Sequence, residues 1–247
     1  KSWLAASVKA YEFVRSEMMS GERLVHSWRQ GVSSDNDVLD DYAQFIRAAL
    51  ALHQVTSDPK YLSHALSWVD QVNDLFWDKE NGAYFFSPED AKHLITRPRT
   101  AFDNATPAGN GTMVANLATL YYLTGNDDHR WRAEKTIDVF ARQPFEQYIN
   151  MTSILNGFEK LTKTIQVTVF GEVNAPETKA MRAMANLSGH PDLVLSLIPP
   201  GCKLPLNHPA ADKNQINGVV TAYVCVGTSC SLPVTTPVGL KNALAEA

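Results

Sequence analysis

Apolar residues recur at three- and four-residue steps through the first two-thirds of the chain, which is the spacing of one face of an α-helix. Residues 42–55 and 61–76 both show this spacing. Between them stands Ser57-Asp58-Pro59, in which a capping side chain precedes a proline at the first helical position. A later helix is predicted over about 145–161. The pattern as a whole predicts roughly six helices in three hairpins, each bringing an extended polar segment to one end.

The pattern changes at Thr164 to alternating or continuous apolar runs, which predict β-strands. Residues 165–171 and 192–198 predict two strands, and residues 177–187 predict the helix between them. This order favours a parallel pair with a right-handed crossover. A third strand is predicted over 218–225.

The sequence therefore predicts a mainly α protein with a small α/β element. Helical hairpins are expected over residues 1–163 and an α/β subdomain over residues 164–247, including a final helix over 237–247. Within the helical part, the aromatic run over residues 83–86 predicts a short strand or an extended segment.

The composition limits the classes of partner. The chain has 247 residues, 45% of them hydrophobic, and a formal net charge of -4 without a basic run. This argues against a nucleic-acid surface and against a polybasic membrane patch. Each apolar stretch is shorter than the roughly 18 residues needed to cross a bilayer. We therefore expect a soluble, cytoplasmic protein that binds small molecules or proteins, and neither nucleic acid nor a membrane.

Three cysteines, Cys202, Cys225 and Cys230, are too few for a disulfide scaffold and lack the partners for a four-ligand zinc site. Four residues separate Cys225 from Cys230, not the two of a redox pair, which favours a structural thiol pair or a facultative disulfide over a dithiol mechanism. The sequence shows neither a glycine-rich phosphate loop nor a His-Glu-x-x-His motif, so we expect no cofactor and no metal. Because the chain starts at Lys1 and not at Met, we expect the numbering to begin inside a longer protein.

Two polar stretches precede apolar helical runs and are expected at the same end of the hairpins, here called the rim. One carries Asp40 and Asp41, and the other, over residues 97–110, carries Asp103. Paired carboxylates divide the acid and the base or nucleophile roles in glycoside chemistry, so Asp41 and Asp103 are the candidate catalytic pair. The structural alternatives are stabilisation of a helix N-terminus by Asp41 and an Asx-type turn at Asp103.

Sugar sites typically combine aromatic rings with side chains that donate two hydrogen bonds, such as arginine, and such residues occur near the ends of the predicted elements. A guanidinium binds a carboxylate or phosphate with two donors. The alternatives are packing between hairpins for the aromatic residues, and for Arg97 an ion pair with Asp40 or Asp103. The candidate substrate-binding residues are Arg29, Tyr42, Trp77, Tyr84, Arg97 and Asn110.

Several short motifs occur in an order and at a spacing that resemble a known family. They are Leu39-Asp40-Asp41-Tyr42-Ala43, Leu75-Phe76-Trp77-Asp78, Gly82-Ala83-Tyr84-Phe85-Phe86, Asp103-Asn104-Ala105-Thr106-Pro107-Ala108-Gly109-Asn110, and Ala222-Tyr223-Val224-Cys225 with Cys230-Ser231-Leu232-Pro233-Val234-Thr235. Together they resemble thioredoxin-domain proteins related to the animal spermatogenesis-associated thioredoxin-like protein. Asn104 and Ala108 depart from the Gly and Ser of many relatives.

The resemblance implies a thioredoxin-like domain followed by an (α/α)6 toroid similar to six-hairpin glycosidases and N-acylglucosamine 2-epimerases. This chain would be the C-terminal part, with about half of the toroid and the α/β subdomain, and the missing N-terminal part would be its partner. The expected function is binding or processing of a sugar ligand by a glycosidase- or epimerase-type enzyme. Because such epimerases use histidines for proton transfer, His26 is a further candidate.

The alternative function is that of a non-catalytic scaffold or redox-regulatory interaction protein. A cavity at the rim with clustered carboxylates would favour the enzyme. A filled rim, with the same residues bonded to one another, would favour the scaffold.

Overall fold

The computed structural model describes residues 2–34, 37–92, 94–227 and 229–247. Helices dominate and the sheets are small, which confirms the predicted fold class. None of the helices among these residues is long and apolar enough to cross a bilayer. The helices are α1 (Ser2–Glu17), α2 (Leu39–Thr56), α3 (Pro59–Phe76), α4 (Gly109–Thr124), α5 (Asp127–Phe140), α6 (Thr152–Lys163), α7 (Pro176–Leu187) and α8 (Pro237–Ala245), with a 3-10 helix over Phe145–Asn150.

The strands form two short hairpins and one larger sheet. They are β1 (Met19–Ser20), β2 (Arg23–Leu24), β3 (Ser27–Arg29), β4 (Val32–Ser34), β5 (Ile165–Phe170), β6 (Leu193–Ile198), β7 (Thr221–Val226) and β8 (Ser229–Cys230). β1 pairs with β2, and β3 pairs with β4. Where a short strand or an extended segment was predicted over 83–86, the structure has an isolated bridge between Trp77 and Tyr84.

The chain forms two compact units. The first holds residues up to 53, 58–116 and 132–157, and the second holds residues 54–57, 117–131 and 158–247. The domain boundary predicted near residue 163 stays a prediction.

In the first unit, the apolar faces predicted for α2 and α3 are buried, with Ile46 and Val69 fully enclosed. The N-terminus of α3 is capped as its sequence predicts, because the Asp58 side chain accepts a hydrogen bond from the Lys60 N–H and Pro59 is the first helical residue.

Glycines let α4 and α6 approach closely. A Cβ on Gly111 would stand 2.7 Å from the backbone carbonyl carbon of Ser153, and a Cβ on Gly157 would stand 2.7 Å from Cγ1 of Val114. Both distances are shorter than a non-bonded carbon contact allows, so a larger residue at either position would force the helices apart. The single helix predicted over 145–161 is divided, because α6 begins only at Thr152.

In the second unit, the larger sheet has the order β6-β5-β7-β8. β5 and β6 are parallel and joined through α7, as predicted, and β7 is antiparallel to β5. One face packs against α7 and α8 around Val167, Met181 and Leu240. On β6, the Leu195 carbonyl accepts a hydrogen bond from the side-chain Nε2 of Gln54 at 3.1 Å, and the Leu195 N–H donates to the side-chain Oε1 of Gln54 at 2.7 Å. Gln54 thus gives hydrogen-bond partners to the backbone N–H and C=O of Leu195 on this edge strand.

Candidate functional site

Two aspartates connect the first turns of α2, α4 and α6 in the first unit. Asp40, in the first turn of α2, accepts a hydrogen bond from the Gly109 N–H at 2.8 Å. Asp103 accepts one from the Ala108 N–H at 2.8 Å and one from the Ser153 N–H at 2.8 Å. Adjacent amides at the start of α4 therefore have carboxylate partners from different parts of the chain.

Asp103 is fully engaged by hydrogen-bond donors. Besides the two amides, its carboxylate accepts from the hydroxyls of Thr152 at 2.8 Å and Ser153 at 2.5 Å. Burial by itself would raise the pKa of Asp103, but the bonds from Ala108, Ser153 and Thr152 outweigh it and hold the pKa below its usual value. The side chain is an ionised cap shared by α4 and α6, and not the simple Asx-type turn that was the structural alternative.

Asp40 and Asp41 diverge, as neighbouring residues on a helix must. Burial raises the pKa of Asp40 despite its bond from Gly109. Asp41 accepts a hydrogen bond from the Val38 N–H at 3.0 Å, which is one half of a capping box for its own helix. The candidate catalytic residue Asp41 therefore also stabilises the start of α2.

Asp41 has a second partner, His26. Nδ1 of His26 lies 3.1 Å from both carboxylate oxygens, and the side chains are 55% and 21% exposed, respectively. Because an ionised carboxylate only accepts hydrogen bonds, the shared hydrogen belongs to Nδ1 of His26. Nε2 of the neutral ring is then the atom that can take up a proton. The structure thus gives His26 an orienting partner that the sequence did not identify.

Arg29 lines an open depression on the β3–β4 hairpin. The strands β3 and β4 are joined by a tight turn in which Gln30 and Gly31 both have positive φ, at 52° and 82°, as in a type I′ hairpin. The depression has a volume of about 400 Å³ and is lined by Ser27, Arg29, Gln30, Val32 and Ser33. Among the described residues that line it, Arg29 is the predicted substrate-binding residue.

Tyr42 lies in the core of the first unit. Its hydroxyl donates to Asp37 at 2.7 Å and accepts from the Leu24 N–H at 3.3 Å. Asp37 also pairs with Arg23 at 2.8 Å. Burial and the Asp37 carboxylate raise the pKa of Tyr42 far above its usual value, so the hydroxyl stays protonated.

Trp77, Tyr84 and Asn110 pack together. The rings of Trp77 and Tyr84 meet edge to face with centroids 4.9 Å apart, and both side chains are buried. The Asn110 side chain accepts from the Tyr84 N–H and donates to the carbonyls of Tyr84 and Thr100, each at 2.9 Å. These contacts are those of the packing alternative.

Arg97 holds a loop in place. Its guanidinium donates to the Ser87 carbonyl at 2.8 Å and to the Leu75 carbonyl at 3.0 Å. The guanidinium carbon also lies 4.2 Å from the centre of the Phe85 ring. The ion pair that the sequence suggested with Asp40 or Asp103 is therefore wrong, because backbone carbonyls take the guanidinium's donors.

The cysteines lie in the second unit. Cys225 and Cys230 form a disulfide between β7 and β8, and Cys202 is a free, exposed thiol. Among the described residues, no group of three or more His, Cys, Asp or Glu side chains is arranged to hold a metal ion.

Comparison with known proteins gives one group of relatives. No family model matches the chain. The chain is 28% identical over 211 residues to human spermatogenesis-associated protein 20, and 26% identical to the rat and mouse proteins of the same name. In each case the match covers 83% of this chain and 27% of the relative. The chain thus spans about a quarter of the length of the curated relatives to which it is similar.

Proposed function

We propose that this chain is a non-catalytic helical scaffold within a longer protein similar to spermatogenesis-associated protein 20. The state of Asp103 carries this proposal. A carboxyl group that acts in glycoside chemistry must donate a proton, accept one or attack carbon. The Asp103 carboxylate instead accepts four hydrogen bonds from α4, α6 and their flanking residues. These hydrogen bonds are those of a carboxylate that caps helices.

The other rim residues support the same function. Asn110 and Arg97 direct their donors to backbone carbonyls, and the ring of Tyr84 is fully buried. Side chains that bind a ligand usually keep donors or ring faces open to it. The rim is therefore filled at these positions, which is the arrangement expected of a scaffold.

Helix α1 offers the surface for the rest of such a protein. Tyr11 is buried and packs on Phe45 with ring centroids 4.6 Å apart, whereas the face of the helix that carries Trp3 and Phe13 is exposed, although Phe13 meets Trp28 edge to face at 5.3 Å. Trp3 is 86% exposed and Phe13 40%. Because the curated relatives extend well beyond the matched segment, we propose that this face packs against the additional polypeptide. The expected architecture is the (α/α)6 toroid with its thioredoxin-like domain.

Sedimentation velocity tests this surface. We expect the isolated chain to self-associate, and Trp3→Gln to reduce the association because it removes exposed apolar area. Lys9→Gln, on the exposed surface of the same helix, is the matched control and should change nothing. A stable, monodisperse wild-type monomer would contradict the proposed docking surface.

Carbohydrate binding is the second candidate, and a specific observation favours it. His26, which pairs with Asp41, immediately precedes Ser27 in the chain, and Ser27 and Arg29 line the depression. A proton acceptor and hydrogen-bond donors thus occur within four residues of one another. In a glycosidase- or epimerase-type reaction, Nε2 of His26 would accept the proton, Asp41 would orient the ring and Arg29 would bind the sugar.

A sugar panel separates the two functions. Isothermal titration calorimetry and thermal melting are measured on the wild type, Asp41→Asn, His26→Gln and Asp103→Asn. The scaffold proposal predicts no saturable heat with any sugar and a lower melting temperature for Asp103→Asn. Saturable binding that disappears in His26→Gln, while its melting temperature stays unchanged, would overturn the scaffold in favour of the carbohydrate site.

A further inference from the structure

We propose that the Cys225–Cys230 disulfide is a redox-sensitive cross-link, and that the sulfur of the exposed residue, Cys230, is the site of attack by a dithiol reductant. This inference concerns the sheet of the second unit and does not depend on the proposed function. Cys225 is only 6% exposed, whereas Cys230 is exposed. The two Cα atoms are 4.0 Å apart.

Strand register brings the two sulfurs together. Ser231 donates its N–H to the Val224 carbonyl at 2.7 Å, and the Val224 N–H donates to Oγ of Ser231 at 3.2 Å, so these two residues occupy a hydrogen-bonded position of the antiparallel ladder. The next pair, Cys225 and Cys230, is then of the non-hydrogen-bonded type, in which facing side chains are closest. A cross-link at this position requires the β7–β8 hairpin to be formed and needs no Cys-x-x-Cys motif.

Burial makes the two ends of the disulfide unequal. Cys225 packs in a cluster with Phe170 and Tyr223 on one face of the sheet. Cys230 lies on β8, whose residues are exposed. A thiolate from solvent therefore reaches the Cys230 sulfur first.

The exchange proceeds in two balanced steps. The first thiolate of the reductant attacks Sγ of Cys230, the disulfide breaks, and Cys225 leaves as a thiolate that takes up a proton. The second thiolate of the reductant then attacks its own sulfur in the mixed disulfide and releases Cys230 as a thiolate, which is also protonated. The reductant is oxidised to a disulfide, and the protein gains two electrons and two protons.

Reduction would loosen only the tip of the hairpin. Beyond the cross-link, the backbones of Ala222 and Val234 remain joined by hydrogen bonds of 2.8 and 2.9 Å, and Ser231 keeps its bond to Val224. β8 itself has only two residues. Its release would leave the backbone N–H and C=O of Val226, at the edge of β7, unpaired, so that a further strand can add there.

The test combines thiol labelling with amide hydrogen exchange on the full chain. The air-oxidised protein should take up one maleimide label, at Cys202. After mild treatment with dithiothreitol it should take up three labels. Reduction should speed exchange at Val226 and Ser229 by about tenfold or more while leaving β5 and β6 unchanged.

Two variants serve as controls. Cys202→Ser should keep the full response, and Cys230→Ser should show the fast exchange without reductant. Three labels before reduction, a disulfide that is reduced only in denaturant, or faster exchange across the whole sheet would each overturn the proposal.

Discussion

Two helices of the first unit, α4 and α6, begin in a different way from α8 of the second. In the first unit, α4 and α6 have their first amides satisfied by aspartates far away in sequence, with Asp40 bonded to Gly109 across 69 positions and Asp103 to Ser153 across 50. In the second unit, α8 is capped by Thr236, which accepts from the Gly239 N–H three residues later. The chemistry is the same, but only the distant caps require neighbouring helices to be in place.

This difference decides what a mutation disturbs. A local cap favours its helix even in an unfolded chain, so its loss weakens one helix end by a modest amount. A distant cap forms only in the folded unit, and its loss leaves buried amides without partners. We therefore expect substitutions at the α4–α6 contact of the first unit to have larger effects than matched substitutions at α8.

The largest effect is expected from Gly111→Ala. The added methyl group would meet the backbone of Ser153, and helix backbones cannot yield as a flexible side chain can. We expect a loss of about 3 kcal/mol in the free energy of unfolding, measured by urea unfolding followed by circular dichroism.

Gly239→Ala in α8 is the matched control. Its new Cβ would stand 3.2 Å from the nearest atom, Oγ1 of Thr236, and alanine favours a helix, so the change should stay within about 1 kcal/mol. Equal losses in the two variants would contradict the comparison of the two units.

Asp103→Asn should have the next largest effect. The substitution removes the charge and leaves one acceptor oxygen. The new NH2 group takes the place of the other oxygen and faces hydrogen-bond donors, with which it cannot bond. Because the site is only half-buried, we expect a loss of about 2 kcal/mol by the same urea assay. Asp74→Asn, on the exposed surface of α3, is the control and should change stability by less than about 0.5 kcal/mol.

Thr236→Ala should lower stability by less. It removes a single local cap from the first turn of α8, for which a loss of about 1 kcal/mol is typical. Hydrogen exchange of the Gly239 amide should increase, while the amides of α4 and α6 keep their rates. A loss as large as that of Asp103→Asn would show that a local cap is worth as much as a distant one.

The smallest effect is expected on the pH dependence of stability, through His208 in the second unit. Burial lowers the pKa of His208, although its hydrogen bond to the Leu123 carbonyl acts in the opposite direction. Nδ1 of the neutral ring also accepts from the Ala210 N–H at 3.0 Å. A histidine with a lowered pKa in the folded state binds protons more weakly than in the unfolded state, so stability falls as pH drops below about 6.5. Urea unfolding at pH 7.5 and 5.5 should show a smaller decrease for His208→Gln.

The pH dependence that Asp103 contributes has the same sign as that of His208 and lies in a lower pH range. The pKa of Asp103 is lowered in the folded state, so its contribution is present above about pH 4 and is lost as pH falls through the folded-state pKa. The difference between the wild type and Asp103→Asn should therefore shrink in acid. A difference that is constant down to pH 2 would show that ionisation of Asp103 does not contribute.

The sequence by itself determined the features that depend on neighbouring residues. The apolar spacing identified the faces of α2 and α3, and Asp58-Pro59 marked the start of α3. The alternation after Thr164 identified β5, α7 and β6, and hence the mainly α fold with a small α/β element. These signals lie within a few residues of one another, so helix and strand periodicity suffices to detect them.

Only the tertiary structure decided the partners of the polar side chains. Asp103 could be placed at the rim from sequence, but its donors Thr152 and Ser153 start a helix that the periodicity had merged with the preceding turn. The fold likewise decided that Asp41 pairs with His26 and that Gln54 bonds to the backbone of Leu195 on β6. A carboxylate or amide has the same local pattern whether it binds a ligand or caps a helix, because its role depends on which donors the fold brings within about 3 Å.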